Sequence, residues 1–241
     1  MIEFKNIWKK FGEQPVIRGL NLKVETGEIF FVLGKTGVGK TVLIRMLVGL
    51  LQPDAGEIRL DGVRVDRLSE YELKGVRKKC GLIFQSPTLF DSLNVYENIA
   101  FGLRRHQDLA ESEVQSRVRR LLELVHLGPE VEGRRPEELS YGMQKRVSLA
   151  RTVALEPKYL LYDEPTTGLD PFTARQINHL IVELREKLAV TSIVVSHDLE
   201  SMRAISDRVG LLEDGDFVLI ATPSEFEKSE QAFVRRFLEA G

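Results

Sequence analysis

The chain has 241 residues, 43% of them hydrophobic, which is enough to bury a full core in one large α/β domain or two closely packed subdomains. Its 34 Lys and Arg residues balance 36 Asp and Glu residues, so no overall charge would draw it to nucleic acid or anionic lipid. The single Cys80 excludes an internal disulfide, and the first residues lack a secretory signal. No uncharged apolar stretch reaches the ~18 residues that span a bilayer. We therefore expect a cytoplasmic protein that is soluble or peripheral.

The N-terminal part of the chain favours β-structure. Short apolar segments are separated by Gly27, Gly56 and Asp61-Gly62, which are typical turn residues. These segments predict four strands, at residues 2–4, 21–24, 29–33 and 58–60.

The rest of the chain alternates between the two kinds of element. Apolar positions at helical spacing predict helices at residues 112–126, 141–155 and 173–188. Runs of apolar and β-branched residues predict strands at residues 159–162, 191–195, 209–212 and 217–220. No repeat and no Pro/Gly/Ser linker bounds the helical middle, so we interpret it as an insertion and not as a separate domain.

A phosphate-binding loop follows the strand predicted at residues 29–33. Residues 34–41 fit the pattern G-x-x-x-x-G-K-[ST] and open a helical run at residues 42–51, which is the context that the pattern requires. Backbone N–H groups would converge on the phosphate oxygens of ATP, Lys40 would reach the β and γ phosphates, and Thr41 would supply a hydroxyl to Mg²⁺. The alternative is a glycine-rich turn before a core helix. The predicted nucleotide-binding residues are Gly34, Lys35, Thr36, Gly37, Val38, Gly39, Lys40, Thr41 and Val42.

Two adjacent acids, Asp163 and Glu164, follow the strand predicted at residues 159–162. Ligands of open α/β sheets bind at the carboxyl ends of the strands, so these acids are candidates for a catalytic site. Asp163 would hold Mg²⁺, and Glu164 would orient the water that attacks the γ-phosphate or accept its proton. The alternative is that both acids only cap the turn before Pro165.

A histidine follows the strand predicted at residues 191–195. His197 could bond the γ-phosphate and fix the attacking water, because it leaves a strand end beside the predicted site. His106, His126 and His179 have no such context, and we interpret them as surface or packing residues.

In this order, these segments resemble the nucleotide-binding subunits of ATP-binding-cassette (ABC) transporters along essentially the whole chain. Gln85 matches the family's Q-loop glutamine, which touches Mg²⁺ or the attacking water and links the site to the membrane partner. Phe11 stands where the family usually has the tyrosine that stacks on adenine, and either ring offers a π-face. His197 resembles the switch histidine, and Asp170 resembles the D-loop aspartate at the dimer interface. The alternatives are a core-packing Phe11 and a Gln85 that is only a polar strand end.

Residues 139–143 stand where the family's signature, L-S-G-G-Q, begins a helix. By this resemblance, four residues act on a nucleotide held by the partner chain: Ser140, Tyr141, Gly142 and Met143. Tyr141 replaces the first signature glycine. We therefore expect backbone angles that a bulky residue tolerates, a phenol near the opposed nucleotide, and retained function.

The resemblance implies one α/β domain over residues 1–241. It has a P-loop NTPase (RecA-like) core with an N-terminal antiparallel β subdomain, at about residues 1–85 and 157–241, and an inserted α-helical subdomain at 86–156. It also implies an ATPase that uses ATP and Mg²⁺, with Thr41, Gln85 and Asp163 at the metal. Two chains would form a homodimer that sandwiches ATP and drives permease subunits in the membrane, with no role for nucleic acid.

Within the family, four segments resemble the cassettes of Mla-type phospholipid-trafficking transporters, more loosely than the ATP motifs match: residues 86–95, residues 97–101, Gly142-Met143 before Lys145-Arg146, and residues 166–171. These cassettes pair with a permease and an MCE-domain lipid-binding protein, on the cytoplasmic side of the inner membrane. An importer of a small polar solute, a soluble ABC ATPase in assembly or repair, and a module that never hydrolyses ATP remain the alternatives. Phe233, Val234, Phe237 and Leu238 form one face of a predicted terminal helix, which could dock on its own core or on a neighbouring subunit.

Overall fold

The computed structural model describes residues 1–240. The strands are β1 Ile2–Phe11, β2 Gln14–Val24, β3 Ile29–Leu33, β4 Ala55–Leu60, β5 Val63–Arg64, β6 Cys80–Ile83, β7 Tyr159–Asp163, β8 Thr191–Ser196, β9 Arg208–Glu213 and β10 Asp216–Ala221. The helices are α1 Lys40–Leu47, α2 Glu70–Lys79, α3 Val95–His106, α4 Glu111–Leu124, α5 Tyr141–Val153, α6 Pro171–Leu188, α7 Leu199–Ile205, α8 Pro223–Lys228 and α9 Ala232–Ala240. Single 3-10 turns lie at Val65–Arg67, Pro129–Val131 and Pro136–Glu138.

The N-terminal sheet is antiparallel, with strand order β2-β1-β4-β5. The apolar residues of its inner face, among them Phe4 and Leu22 opposite each other on β1 and β2, are buried against α1. β1 is longer than the strand predicted at residues 2–4. Register shifts between Phe4 and Ile7, with Asn6 at φ 49°, interrupt the alternation of apolar and polar residues that the prediction followed.

The second sheet has the order β10-β9-β3-β8-β7-β6 and is parallel except for β10. β3 and β8 are buried along their whole length, as expected for the centre of a parallel sheet covered on both faces. Leu33 pairs with Ser196, and Asp163 pairs with Val195. The carboxyl ends of three adjacent strands are therefore level, and the loops that leave them share one edge of the sheet.

Asp61, in the turn between β4 and β5, ties the N-terminal sheet to the start of β7. Its carboxylate accepts hydrogen bonds from Tyr159 Oη at 2.6 Å, Lys158 Nζ at 2.7 Å and the Met1 amine at 3.3 Å. Burial alone would raise the pKa of Asp61, but these donors together hold it well below its usual range. The carboxylate is therefore a charged anchor for the strand that ends at Asp163.

Helices α3, α4 and α5 pack together on one side of the parallel sheet through apolar residues such as Ile99, Val118 and Val147, all fully buried. Asn94 caps α3 in a reciprocal pair with Glu97, which typically stabilises a helix by about 1 kcal/mol. The predicted helices at residues 112–126, 141–155 and 173–188 correspond to α4, α5 and α6 within three residues at each end.

Four helices were not predicted from the apolar pattern: α2, α3, α7 and α8. The helix predicted at residues 42–51 is shorter, because α1 begins at Lys40 and ends at Leu47 before Gly49 turns the chain with φ 68°.

In α9, Val234 and Phe237 are buried in the chain's own core, whereas Phe233 is 43% exposed. No helix within residues 1–240 is both long and apolar enough to cross a membrane.

Candidate nucleotide site

The phosphate loop connects β3 to α1, as the sequence predicted. Gly37 and Gly39 have φ angles of 85° and 110°, in the region that favours glycine. At Gly39 a Cβ would also lie 2.8 Å from the Val16 side chain, so both backbone angle and space require glycine there. The loop therefore presents backbone N–H groups ahead of the amino end of α1, where an anion is favoured.

A cavity of about 510 Å³ lies beside this loop. It is lined by Phe11, Gln14, Val16, Thr36, Gly37, Gly39, Lys40, Thr41, Val42, Arg45, Gln85, Asp163 and Glu164. Ten of these residues were predicted, whereas Gln14, Val16 and Arg45 were not. Arg45 lies one turn into α1 on the cavity wall. Gly34, Lys35 and Val38 complete the loop without lining this cavity.

Lys40 is 5% exposed and lies between the loop and the acids. Its Nζ donates to the carbonyls of Gly34 at 2.6 Å and Lys35 at 3.0 Å, and lies 3.3 Å from Glu164 Oε1. This ammonium therefore bridges the carbonyl groups of the phosphate loop and the Glu164 carboxylate.

Thr41 and Asp163 form a pair of oxygen donors. Thr41 Oγ1 donates to Asp163 Oδ1 at 2.8 Å. Burial raises the pKa of Asp163, and the adjacent Glu164 charge adds to that effect. A hydroxyl and a carboxylate oxygen, with the Gln85 side chain on the same cavity, are the ligand types that a small hard cation such as Mg²⁺ prefers.

Glu164 is held by several donors. Its Oε2 accepts from Ser196 Oγ at 2.9 Å and Thr167 Oγ1 at 3.0 Å, and lies 3.0 Å from His197 Nδ1. Burial alone would raise the pKa of Glu164, but the hydrogen bonds from Ser196 and His197 and the charge of Lys40 together lower it. The carboxylate is therefore ionised and fixed, as a base or water-orienting group requires.

Sequence reasoning missed Ser196 and Thr167 as partners of Glu164. Ser196 immediately precedes His197, and Thr167 lies in the loop after Glu164, so their only sequence signal was proximity to predicted residues. The other three histidines, His106, His126 and His179, are exposed, and His126 pairs with Glu183 at 2.6 Å.

Phe11 stands at the mouth of the cavity. It is 48% exposed, which excludes the alternative of a core-packing residue. Lys9 Nζ lies 5.6 Å from the centre of its ring, and Asp54 holds that ammonium at 2.9 Å. One ring face is thereby supported by a cation, and the ring borders the space where a base would stack.

The signature segment begins α5. Ser140 caps the helix by accepting from Met143 N at 3.3 Å, and Tyr141 is its first residue without a positive φ, so the backbone tolerates a bulky side chain as predicted. At Gly142 a Cβ would lie 2.7 Å from Thr173 Cγ2, which explains why this second glycine remains. The Tyr141 hydroxyl donates to the carbonyl of Gln85 in the same chain at 3.1 Å.

The signature residues 140–143 and Asp170 do not line the cavity of their own chain. Asp170 caps α6 by accepting from Phe172 N and Thr173 N, each at 3.0 Å. That these residues act on a nucleotide held by a second chain stays a prediction.

Three known proteins resemble the chain along most of its length. The family model described as ABC transporter matches residues 17–167. The intermembrane phospholipid transport system ATP-binding protein MlaF of Haemophilus influenzae is 40% identical over 239 residues, covering 99% of this chain and 90% of that protein. The probable ribonucleotide transport ATP-binding protein mkl of Mycobacterium leprae is 37% identical over 237 residues, covering 98% of this chain and 68% of that protein. The dimeric structure of the ATP-binding cassette MJ0796 in a post-hydrolysis state, bound to ADP and Pi, has a TM-score of 0.84 and 30% identity, covering 92% of this chain and 99% of that one.

Proposed function

Because the chain belongs to the ABC transporter family and is an ATP-binding, ATP-hydrolysing cassette, we propose that it works as a two-fold dimer. The dimer drives the transport of phospholipid or another apolar molecule between bacterial membranes. The predicted fold class is confirmed by the cassette MJ0796. The observation that carries the ATPase function is one cavity in which Lys40 and Thr41 of the phosphate loop face Asp163 and Glu164, and the cassette MJ0796 and the relative MlaF support the dimer and the cargo.

The predicted residues of the site have proposed roles. Phe11 stacks on adenine, the loop N–H groups and Lys40 hold the phosphates, and Glu164 orients the attacking water and accepts its proton. His197, which bonds Glu164, holds the γ-phosphate in the same arrangement. The residues that would hold Mg²⁺ are Thr41, Asp163 and the Gln85 side chain. When bound, the ion neutralises charge on the β and γ phosphates.

The proposed dimer explains the position of the signature segment. Ser140 and the N–H groups at the start of α5 would complete the phosphate site of the partner chain, because a helix amino end favours an anion. Asp170 would lie at the same interface. The dimeric cassette MJ0796 and the absence of residues 140–143 from the cavity of their own chain support this arrangement.

The cargo and the membrane partners are the finer part of the proposal. The relative MlaF is named for intermembrane phospholipid transport, and 99% of this chain aligns with it. Phe90 and Phe101 are exposed next to each other, with ring centres 5.0 Å apart, and form an apolar surface for a permease helix. We propose permease subunits and an MCE-domain lipid-binding protein as partners, at the cytoplasmic side of the inner membrane.

Affinity capture of the tagged full chain from solubilised membranes tests this proposal. Copurification of a permease with an MCE-domain protein and phospholipid supports it. Recovery of the chain in the fraction without membranes and without a permease would overturn it in favour of a soluble ATPase.

A second candidate is an importer of a small polar solute. The relative mkl, named for probable ribonucleotide transport, is nearly as similar as MlaF, and the ATP site would be the same in both cases. Copurification of a soluble solute-binding protein in the same capture experiment favours this candidate.

A further inference from the structure

Tyr141 makes a contact that a glycine at this position could not make. Its phenol hydroxyl donates to the backbone carbonyl of Gln85 at 3.1 Å, across from the start of α5 to the loop that follows β6. Four residues further along α5, Lys145 lies on the same face of the helix. Its ammonium donates to the carbonyl of Phe84 at 3.4 Å and also to the carbonyl of Gln85.

The two donors form one structural unit. Lys145 is 2% exposed, and its Nζ lies 5.7 Å from the centre of the Tyr141 ring. The Gln85 carbonyl therefore accepts from successive turns of one helix, through a part-buried hydrogen bond from Lys145 and a solvent-exposed one from Tyr141. We refer to Tyr141, Lys145 and the Gln85 carbonyl as the α5 clasp.

The clasp joins two places with different roles in the proposed dimer. Gln85 lines the cavity that would hold this chain's ATP. Ser140, which caps α5 next to Tyr141, is assigned to the ATP of the partner chain. A hydrogen bond between these two segments therefore connects the two ATP sites through a single chain.

We propose that Tyr141 is a positioning residue. Together with Lys145, it fixes the Gln85 segment against α5. This contact keeps the Gln85 side chain aligned at the ATP of its own chain while α5 binds the ATP of the partner chain. This inference rests on the proposed dimer. Misplacement of such a group slows the reaction, whereas nucleotide affinity depends on the phosphate loop and Phe11.

Tyr141→Phe tests the clasp because it removes only the hydroxyl. Tyr71→Phe is the matched control, since Tyr71 is 80% exposed on α2. We expect amide hydrogen exchange in residues 84–90 of the full chain to rise about two- to tenfold in Tyr141→Phe, the effect of losing one neutral hydrogen bond, and to stay unchanged in the control. Unchanged exchange in Tyr141→Phe would overturn the clasp.

Kinetics separate positioning from a general loss of structure. In the purified transporter complex, we expect Tyr141→Phe to lower kcat about two- to tenfold, while the Kd of the full chain for a fluorescent ATP analogue stays within twofold. A Kd that rises in step with the loss of kcat would show that Tyr141 acts on folding or binding, and would refute the inference. A parent complex that binds ATP but does not hydrolyse it would instead refute the proposed function.

Tyr141→Gly restores the residue of the family signature and removes both the hydroxyl and the ring. We expect its turnover to be no faster than that of Tyr141→Phe, because the Gln85 carbonyl then keeps only Lys145. If Tyr141→Gly hydrolysed ATP orders of magnitude faster than the parent, the native signature would be impaired and the proposed role of Tyr141 would be wrong.

Discussion

Glu164→Gln is the sharpest test of the proposed chemistry, because it changes one functional group and keeps the shape of the side chain. Oε2 of Glu164 accepts from Ser196 and Thr167, while Oε1 faces Lys40 at 3.3 Å. A glutamine can place its amide oxygen towards the two hydroxyl donors, which leaves its NH₂ group towards the ammonium. The site thus keeps its hydrogen bonds on one side but loses the base and the ion pair with Lys40.

The expected magnitude follows from these contacts. A positioned general base contributes about 10²–10⁴ in rate, so we expect kcat to fall at least about a hundredfold, equivalent to about 2.7 kcal/mol in the activation barrier. ATP affinity should stay within about threefold, because Lys40 keeps its carbonyl contacts with Gly34 and Lys35 and is released from Glu164. Because the bound ATP is not hydrolysed, closed dimers of the variant should accumulate.

Three measurements check this prediction: phosphate release at saturating Mg²⁺ and ATP, equilibrium binding of a fluorescent ATP analogue, and size-exclusion chromatography with ATP. The control is Glu186→Gln, at an exposed position on α6, which should match the parent in all three. Turnover of Glu164→Gln within about tenfold of the parent would remove Glu164 from the mechanism.

Three further predictions concern stability and accessibility. Asp61→Asn should lower the free energy of unfolding by about 1–3 kcal/mol at pH 7, and by progressively less below about pH 4. The reason is that the pKa of Asp61 is lower in the folded than in the unfolded chain, so its stabilising contribution is present above the unfolded pKa and is lost as the pH falls. Urea unfolding at several pH values measures this dependence. Gly142→Ala should lower the free energy of unfolding, measured by heat or urea, by about 1–3 kcal/mol, because its Cβ would lie 2.7 Å from Thr173 Cγ2. Adding Thr173→Ser in the same chain should recover most of this loss, and a Gly142→Ala variant as stable as the parent would contradict the prediction. Burial raises the pKa of Cys80 to about 12, so iodoacetamide at pH 8 should label it at least about a hundredfold more slowly than the urea-unfolded chain.

The parts of the site that the sequence predicted are those encoded in short, contiguous patterns. The phosphate loop follows β3, and Asp163 and Glu164 stand at the end of β7, where the preceding strand residues are all apolar or aromatic, so the strand ends could be placed within one residue. Ser196 and Thr167 could not be assigned to Glu164, because their contacts depend on the register of β7 against β8. Pairing between distant strands has no signal in a single sequence.

Two of the helices that escaped prediction, α2 and α3, have clear ends. α2 buries only Leu73 and Val76, yet Ser69 and Glu72 form a reciprocal cap at its start. Asn94 and Glu97 do the same for α3. A search for these caps, in addition to apolar periodicity, would have found both helices, because caps depend on residues three positions apart and not on burial.

The two positions of the signature glycines are governed by different physical causes. At residue 141 the backbone is ordinary helix, so nothing in its angles requires glycine, and the side chain is free to take a contact such as the one with Gln85. At residue 142 the approach of Thr173 within the same chain leaves no room for a Cβ. In this chain, therefore, one signature position is fixed by packing and the other is left open by the fold, and a departure at the open position is not evidence of a damaged signature. The departure instead changes how firmly α5 is joined to the Gln85 segment.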